Sequence, residues 1–274
     1  MTRTRHDPDP PAASLPDTRS GDGTLNIAVQ LTAMAARYPD KRAVVWTAGR
    51  DGSGRARYAH VTFEQLDRET DRYAHGLETV GITRGTRTIV FVPPGVEFFA
   101  LVFALFKIGA VPVMVDPGIG RQQMRRCLTD VQGEAFIGVP LAHVFRLLYP
   151  GSFRSVRVAV TVGRRWFWGG LRLADIRSDP WRPYKPAPTE EHDPAAILFT
   201  SGSTGPAKGV TYTHGVFDAQ RRSIQQMYDI QPGEIDLACF PLFGLFSMAM
   251  GMTVVIPDMD PPKPAKADPD KLVE

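Results

Sequence analysis

The chain has 274 residues, 43% of them hydrophobic, and its 32 basic and 29 acidic side chains give a formal net charge of +3. So small a charge excludes a basic field over the whole chain, and we expect no nucleic-acid partner. No apolar run is long enough for a transmembrane helix, and the N-terminus lacks the apolar region of a secretion signal, so we expect a cytoplasmic protein.

Residue types that bind metals or form disulfides show no site pattern. The six histidines are scattered without metal-ligand spacing, so no metal site is predicted. Cys127 and Cys239 have neither zinc nor disulfide spacing, and we expect both to be reduced residues of the core. His214 follows a strand-like segment, and we expect it to be a structural polar residue and not a catalyst.

The chain begins with a segment that has almost nothing to bury. Residues 1–23 are rich in Pro, Asp, Ser and Gly, which predicts a disordered tail. A helix and a strand follow, over 25–38 and 43–47. Thr62 and Gln65 then have the spacing of a capping box, and apolar residues recur at helical intervals as far as Gly81, which can adopt the left-handed conformation that ends a helix.

Continuous apolar segments then alternate with helical ones. Strands are predicted over 87–92, 110–115, 134–139 and 155–162, and helices over 97–108 and 121–131. This alternation predicts parallel strands with helices on both faces of the sheet. Four prolines between residues 180 and 188 indicate an extended linker. We therefore expect a first α/β subdomain over 24–180.

The same rhythm resumes after the linker. Strands are predicted over 196–200, 209–213, 236–240 and 252–256, with a helix over 214–227. These elements predict a partial second α/β subdomain over 190–274. Because residues 269–272 are typical of the start of a helix, we expect a C-terminal part to be absent.

Residues 196–215, AILFTSGSTGPAKGVTYTHG, place a glycine-rich loop between two strand-like segments. Backbone N–H groups in such a loop can converge on an anion, hydroxyl groups add donors, and Lys208 supplies a positive charge. A Walker loop requires GxxxxGK[ST] followed by a helix, whereas here Gly209 and a β-branched segment follow the lysine. The sequence therefore favours a phosphate-binding loop of another type over that of a nucleotide hydrolase.

Two other interpretations of this loop remain open. It can be a polar hairpin without a ligand. It can also belong to a serine hydrolase in which Ser201 or Ser203 acts with Lys208, although neither SxxK nor GxSxG is present.

Residues 200–210, TSGSTGPAKGV, resemble the phosphate-binding signature of the adenylate-forming superfamily, which includes acyl-CoA synthetases, peptide-synthetase adenylation domains and luciferases. The family's loop typically reads TSGTTGxPKG, so the proline is displaced by one place, to Pro206. Three more segments resemble the family in the same order: VTFEQLDRETDRYAHGL at 61–77, LFKIGAVPVMVDP at 105–117 and FPLFGLF at 240–246. The resemblance covers residues 25–274.

The resemblance implies an α/β fold, namely an incomplete N-terminal adenylate-forming domain with mostly parallel sheets covered by helices on both faces. It implies ATP and Mg²⁺ as cofactors and a small-molecule carboxylic acid as the substrate. Carried over position by position, the phosphate-binding residues are Thr200, Ser201, Gly202, Ser203, Thr204, Gly205 and Lys208. Thr204 and Lys208 are also assigned to catalysis, which here needs positioning and charge stabilisation but no catalytic base.

One position departs from the family. Many acyl-CoA synthetases have His in the motif P-L-F-H, where this chain has Gly244, and this implies an open apolar substrate pocket formed by Phe243, Gly244 and Phe246. Ordinary helix packing would explain the same residues. Gly244, the TGPAKGV loop and VIPDMD at 255–260 are most similar to bacterial β-lactone synthetases of olefin biosynthesis, which adenylate long-chain 2-alkyl-3-hydroxy acids.

Two alternatives to that branch remain open, a fatty acyl-CoA synthetase and a truncated, non-catalytic nucleotide-binding relative. Later motifs of the family fall beyond Glu274, so we expect this fragment alone to be inactive. The resemblance also implies other enzymes of the same pathway as candidate partners.

Residues 164–172, RRWFWGGLR, combine basic and aromatic side chains. Such a segment can pack in the ordinary way, contact a partner protein or lipid headgroups, or stack on single-stranded nucleic acid. The small net charge of the chain disfavours nucleic acid.

Overall fold

The structure is a computed structural model that describes residues 24–200, 208–259, 266–269 and 271. The strands in this part are β1 (Arg42–Arg50), β2 (Ala56–Thr62), β3 (Arg87–Phe91), β4 (Val111–Val115), β5 (Ala135–Gly138), β6 (Val158–Thr161), β7 (Leu171–Arg172), β8 (Pro194–Thr200), β9 (Lys208–Thr213), β10 (Ile235–Leu237) and β11 (Thr253–Ile256). The helices are α1 (Val29–Arg37), α2 (Phe63–Thr79), α3 (Val96–Ile108), α4 (Arg121–Val131), α5 (Pro140–Leu148), α6 (Leu173–Ile176), α7 (His214–Tyr228) and α8 (Phe243–Ala249). The predicted tail over 1–23 lies outside the described residues.

The larger sheet has the strand order β7-β6-β5-β3-β4-β8-β9 and is parallel except for its last pair, β8 and β9. Successive residues of β3 point to opposite faces: Ile89 packs with Leu128 of α4, whereas Val90 belongs to the cluster that contains Phe103 of α3. The predicted α/β fold, with a mostly parallel sheet and helices on both faces, is therefore confirmed.

Helix α3 lies in the centre of the core. All residues from Phe98 to Ile108 are buried, because α3 is packed on every side and not on one stripe. Gly109 ends the helix in the left-handed conformation, with φ of 75°, and lets the chain turn directly into β4.

The smaller sheet has the order β10-β11-β1-β2. Strands β1 and β2 are antiparallel, and the other two pairs are parallel. Each sheet combines strands from residues 24–180 with strands from the segment after residue 190, so the predicted boundary between two subdomains does not coincide with a boundary between sheets. The division itself stays a prediction.

Several local predictions can be compared with the structure. The capping box before α2 is confirmed: the Thr62 hydroxyl oxygen accepts the Gln65 N–H at 3.3 Å, and the Gln65 side-chain oxygen accepts the Thr62 N–H at 3.0 Å. The first helix begins at Val29 and not at residue 25, because Asn26 is turned inward and donates to the Phe106 carbonyl at 2.9 Å. Strand β2 and helix α5 lie outside the predicted elements.

The prediction for the two cysteines is half right. Cys127 is buried in α4, as expected, but Cys239 is exposed in the loop after β10. The prediction for Cys239 was wrong because that short edge segment presents its side chains to solvent. In the described ranges, no helix combines the length and the apolarity needed to cross a membrane.

Candidate nucleotide-binding site

The predicted phosphate loop connects two antiparallel strands at one edge of the larger sheet. Strand β8 ends at Thr200, β9 begins at Lys208, and these two residues are partners across the strand pair. The two predicted strands that flank the segment are therefore confirmed, while residues 201–207 between them lie outside the described residues. Because β8 is parallel to β4, the loop leaves the sheet at the carboxyl ends of the parallel strands, where open α/β sheets bind ligands.

Most of the predicted phosphate contacts fall in 201–207, outside the described residues. This applies to Ser201, Gly202, Ser203, Thr204 and Gly205. For Thr200, the structure describes the backbone at the end of β8. The assignment of these six residues to phosphate stays a prediction.

Lys208 is exposed at the first position of β9. Among the described residues, no carboxylate forms an ion pair with it. The next residue, Gly209, lies opposite Phe199, and a Cβ atom there would meet Cζ of the Phe199 ring at 2.9 Å. The glycine therefore lets this buried ring pack across the strand pair, while the lysine before it remains available to an anion.

Sequence analysis did not identify a turn that lies beside the end of β8. Asp116 follows β4, and its N–H donates to the Phe199 carbonyl at 3.2 Å, so the ends of β4 and β8 are joined. The Asp116 carboxylate accepts the Gly118 N–H at 2.8 Å. The dipeptide Asp-Pro at the end of segment 105–117 is the sequence signal that could have marked this turn.

The described part of the site fits a phosphate better than a metal. Lys208 is a cation without an ion pair among the residues that the structure describes, whereas the carboxylate of Asp116 is already held by a backbone donor. Within the described ranges, no group of three or more His, Cys, Asp and Glu side chains could hold a metal ion. No residue described here is therefore assigned to Mg²⁺.

The three predicted pocket residues all lie in α8 but face different surroundings. Phe243 is exposed, whereas Phe246 is buried and stacks on Phe217 with ring centroids 4.1 Å apart. A Cβ atom on Gly244 would meet Cζ of Phe99 at 2.9 Å. The Phe99 ring thus fills the space beside Gly244, and the role of the three residues as a substrate pocket stays a prediction.

His214 is a buried structural residue, as predicted from sequence. Its Nδ1 accepts the N–H of Ile27 at 3.3 Å, which connects the start of α7 to the N-terminal segment. Burial lowers the pKa of His214 to about 4, with the nearby Asp193 carboxylate partly opposing this shift. The imidazole is therefore neutral near pH 7.

Lys107, in the segment 105–117 that resembles the family, is buried and forms ion pairs that sequence analysis did not predict. Its Nζ donates to the Asp67 and Asp71 carboxylates at 2.7 and 2.5 Å. Trp181 Nε1 donates to the second oxygen of Asp71 at 3.1 Å. Burial raises the pKa of Asp71, and the charge of Lys107 opposes that rise. The available signal was a lysine at the end of the long apolar run of α3, together with two aspartates four residues apart on α2.

Comparison with known proteins gives one consistent result. Residues 31–269 match the family model of AMP-binding enzymes. Olefin β-lactone synthetases of Xanthomonas campestris and Stenotrophomonas maltophilia are 47% and 49% identical over 249 and 251 residues, which is 90% of this chain and 45% of each relative. The chain thus spans less than half the length of these relatives.

The solved structures show the same fold. The N-terminal domain of FACL13 from Mycobacterium tuberculosis superposes with a TM-score of 0.70, over 87% of this chain and 58% of that chain, at 24% identity.

Proposed function

The chain belongs to the family of AMP-binding enzymes, and on this premise we propose that it carries the ATP-binding part of a β-lactone synthetase that adenylates a long-chain 2-alkyl-3-hydroxy carboxylic acid. The observation that carries the proposal is the 47–49% identity to two olefin β-lactone synthetases along 90% of the chain. The chain spans 45% of each relative. We therefore propose that turnover also requires residues that correspond to the unmatched part of these relatives.

The proposed reaction has two steps. A carboxylate oxygen of the acid attacks the α-phosphorus of ATP, an acyl–O–P bond forms, and pyrophosphate leaves. The 3-hydroxyl of the same substrate then attacks the acyl carbon and loses its proton, while the bond to AMP breaks and the β-lactone closes. Since nucleophile and electrophile are in one molecule, their effective concentration is high and coenzyme A is not needed.

The assigned residues act on the leaving pyrophosphate. We assign the phosphate contacts to Thr200, Ser201, Gly202, Ser203, Thr204, Gly205 and Lys208. Lys208 and Thr204 stabilise the negative charge that develops on the β and γ phosphates in the transition state. The exposure of Lys208 and the absence of an ion pair within the described part of the chain support this role. Bound Mg²⁺ would neutralise further phosphate charge.

The acid-binding side of the site is proposed to include Phe243, Gly244 and Phe246. Phe243 supports this best, because it is an exposed aromatic side chain that can cover an acyl chain. Gly244 packs against Phe99, so a chain that enters there must displace this ring.

A chimera tests the proposal at full length. The 274-residue chain replaces the matched segment of the Stenotrophomonas relative, and the product is incubated with ATP, Mg²⁺ and a 2-alkyl-3-hydroxy acid without coenzyme A. We expect AMP, pyrophosphate and a β-lactone, and about 100-fold slower AMP release with Lys208→Ala, since one oxyanion-stabilising donor contributes about this much. The unaltered relative is the control.

Other outcomes would redirect the proposal. Thioester formation only with coenzyme A would indicate a fatty acyl-CoA synthetase. ATP binding without AMP release, in a chimera whose parent is active, would indicate a non-catalytic nucleotide-binding relative. Labelling of Ser201 or Ser203 by a fluorophosphonate would contradict the proposal and support a serine hydrolase.

A further inference from the structure

The positive charge of the chain is concentrated in one stretch. Residues 135–174 contain six arginines and no acidic residue, whereas the other residues together carry 26 basic and 29 acidic side chains. The stretch forms β5, α5, β6 and β7, and β7 is the edge strand of the larger sheet. Five of its arginines are exposed: Arg154, Arg157, Arg164, Arg165 and Arg172.

The loop between β6 and β7 presents two aromatic side chains to solvent. Trp166 is 54% exposed and Phe167 is 79% exposed. Both rings contact Trp168, with centroid distances of 5.4 and 5.3 Å. Trp168 is buried, and its Nε1 donates to the hydroxyl of Thr161 at 3.0 Å. The exposed rings are thus held on a fixed base.

Helix α5 extends this apolar surface. Leu141 and Leu148 are both exposed, and because they are seven residues apart they lie on the same side of the helix. The buried side of α5 contributes His143, whose ring stacks on Trp168 with centroids 5.1 Å apart and an interplanar angle of 4°. The helix and the aromatic loop are therefore neighbours on one edge of the sheet.

We propose that this basic aromatic face, formed by Leu141, Leu148, Trp166, Phe167 and the exposed arginines other than Arg172, binds the surface of an anionic lipid membrane. Indole, phenyl and isobutyl groups enter the boundary between headgroups and acyl chains, and arginines are attracted to anionic headgroups. Residues 135–174 contain no acidic side chain, but Asp175, which follows them, pairs with Arg172. The charge that attracts anionic headgroups therefore comes from Arg154, Arg157, Arg164 and Arg165.

The exposed leucines favour a membrane over single-stranded nucleic acid. Nucleobases stack on aromatic rings and on guanidinium planes, but aliphatic side chains such as Leu141 and Leu148 offer no such plane. The face is also separate from the candidate nucleotide site, since β7 and β9 are opposite edges of the larger sheet. Membrane binding is therefore independent of the proposed catalytic function, and it can be tested without substrate.

Flotation with lipid vesicles tests the proposal on the 274-residue chain. We expect the protein to bind vesicles of phosphatidylcholine mixed with phosphatidylglycerol, to bind phosphatidylcholine alone poorly, and to dissociate at high salt. The variant Trp166→Ser with Phe167→Ser should bind at least about tenfold more weakly. Arg164→Gln should lower binding about fivefold, as expected for one arginine near an anionic surface. Arg165 is kept, because it donates to the Gly170 carbonyl at 2.5 Å within the loop.

A matched control comes from another exposed pair. Met227 and Tyr228 are 74% and 70% exposed and lie outside the basic stretch, so Met227→Ser with Tyr228→Ser should leave vesicle binding unchanged. Trp166→Phe preserves an aromatic ring and should retain most binding. Thermal melts monitored by circular dichroism check that each variant is folded. If the double serine variant does not fold, the vesicle binding of Arg164→Gln tests the proposal instead.

Four results would overturn the proposal. These are equal binding to neutral and anionic vesicles, no binding to either, full binding by the double serine variant, and an effect of the control pair as large as that of Trp166 and Phe167. A dimer in sedimentation that the double serine variant abolishes would assign the face to a second copy of the chain. Binding of a single-stranded oligonucleotide that the same variant abolishes would assign it to nucleic acid.

Discussion

Two lysines lie in the segments that resemble the adenylating family, and their surroundings are opposite. Lys107 is fully buried in α3, and its Nζ contacts carboxylates on α2. Lys208 is exposed at the start of β9 and forms no ion pair with any residue that the structure describes. The first lysine joins two core helices, whereas the second is exposed and is proposed to bind phosphate. A place in a segment that resembles the family therefore does not by itself show whether a lysine is buried and paired or exposed.

The largest expected effect is on the buried lysine. Lys107→Met leaves Asp67 and Asp71 without their cation, so we expect the free energy of unfolding to fall by about 3–5 kcal/mol, as for other broken buried ion pairs. Urea denaturation measures this loss. Adding Asp67→Asn and Asp71→Asn should recover part of it, because no buried charge is then left unpaired. A loss below about 1 kcal/mol would contradict a structural role for this network.

His214, which is buried like Lys107, should make the free energy of unfolding depend on pH. Its pKa is about 4 in the folded chain against 6.5 for an ordinary histidine, so the unfolded chain binds the extra proton first. This contribution to stability is complete above about pH 6.5 and is lost as the pH falls towards 4, by at most about 3 kcal/mol. Urea denaturation at several pH values measures the slope.

The variant His214→Asn isolates this group from other titrating residues. Its side-chain oxygen can still accept the N–H of Ile27, but it does not titrate. We expect a shallower fall in the unfolding free energy between pH 6.5 and pH 4 than in the unmodified chain. Equal slopes would mean that another group is responsible.

Gly244 has a smaller expected effect, which distinguishes close packing from an open pocket. Gly244→Ala would place a Cβ atom 2.9 Å from a ring carbon of Phe99, so we expect a loss of about 1–2 kcal/mol in the free energy of unfolding. In a Phe99→Leu background, the additional loss caused by Gly244→Ala should be smaller, because the ring carbon that the new Cβ atom meets is gone. A more stable Gly244→Ala variant would instead indicate open space beside α8, because alanine favours a helix over glycine.

Local signals explain which parts of the fold could be predicted. The capping box at Thr62 and the two strands that flank residues 201–207 are short-range features, which neighbouring residues in the sequence indicate. Strand β2 was missed because most of its residues are polar and partly or fully exposed, so it has no clear apolar alternation. The ion pairs of Lys107 join residues 36 and 40 positions apart, and only the packing of α2 on α3 brings them together.

For the candidate site too, the sequence did not predict contacts between residues that are far apart in the chain. The motif correctly placed Lys208 beside a loop at the carboxyl end of a strand. It could not show that Asp116 closes the neighbouring turn, since this contact depends on the pairing of β4 with β8 across the sheet. Nor could it show that Phe99 packs against Gly244, because the two belong to helices far apart in sequence.

The smallest expected effect on stability belongs to the exposed lysine. Lys208→Ala should change the free energy of unfolding by less than about 0.5 kcal/mol, as for most surface substitutions without partners. Lys185, exposed in the linker after residue 180, provides a matched control. Urea denaturation of Lys208→Ala and Lys185→Ala should give midpoints close to that of the unmodified chain. A large loss for Lys208→Ala alone would place this lysine in the structural class of Lys107.

Titration calorimetry of ATP binding tests the central claim most directly. The unmodified chain and Lys185→Ala should bind ATP equally, and Lys208→Ala should bind it at least about tenfold more weakly, because one charge-assisted phosphate contact is lost. No ATP binding by the unmodified chain, or equal binding by Lys208→Ala, would contradict the assignment of this loop to phosphate.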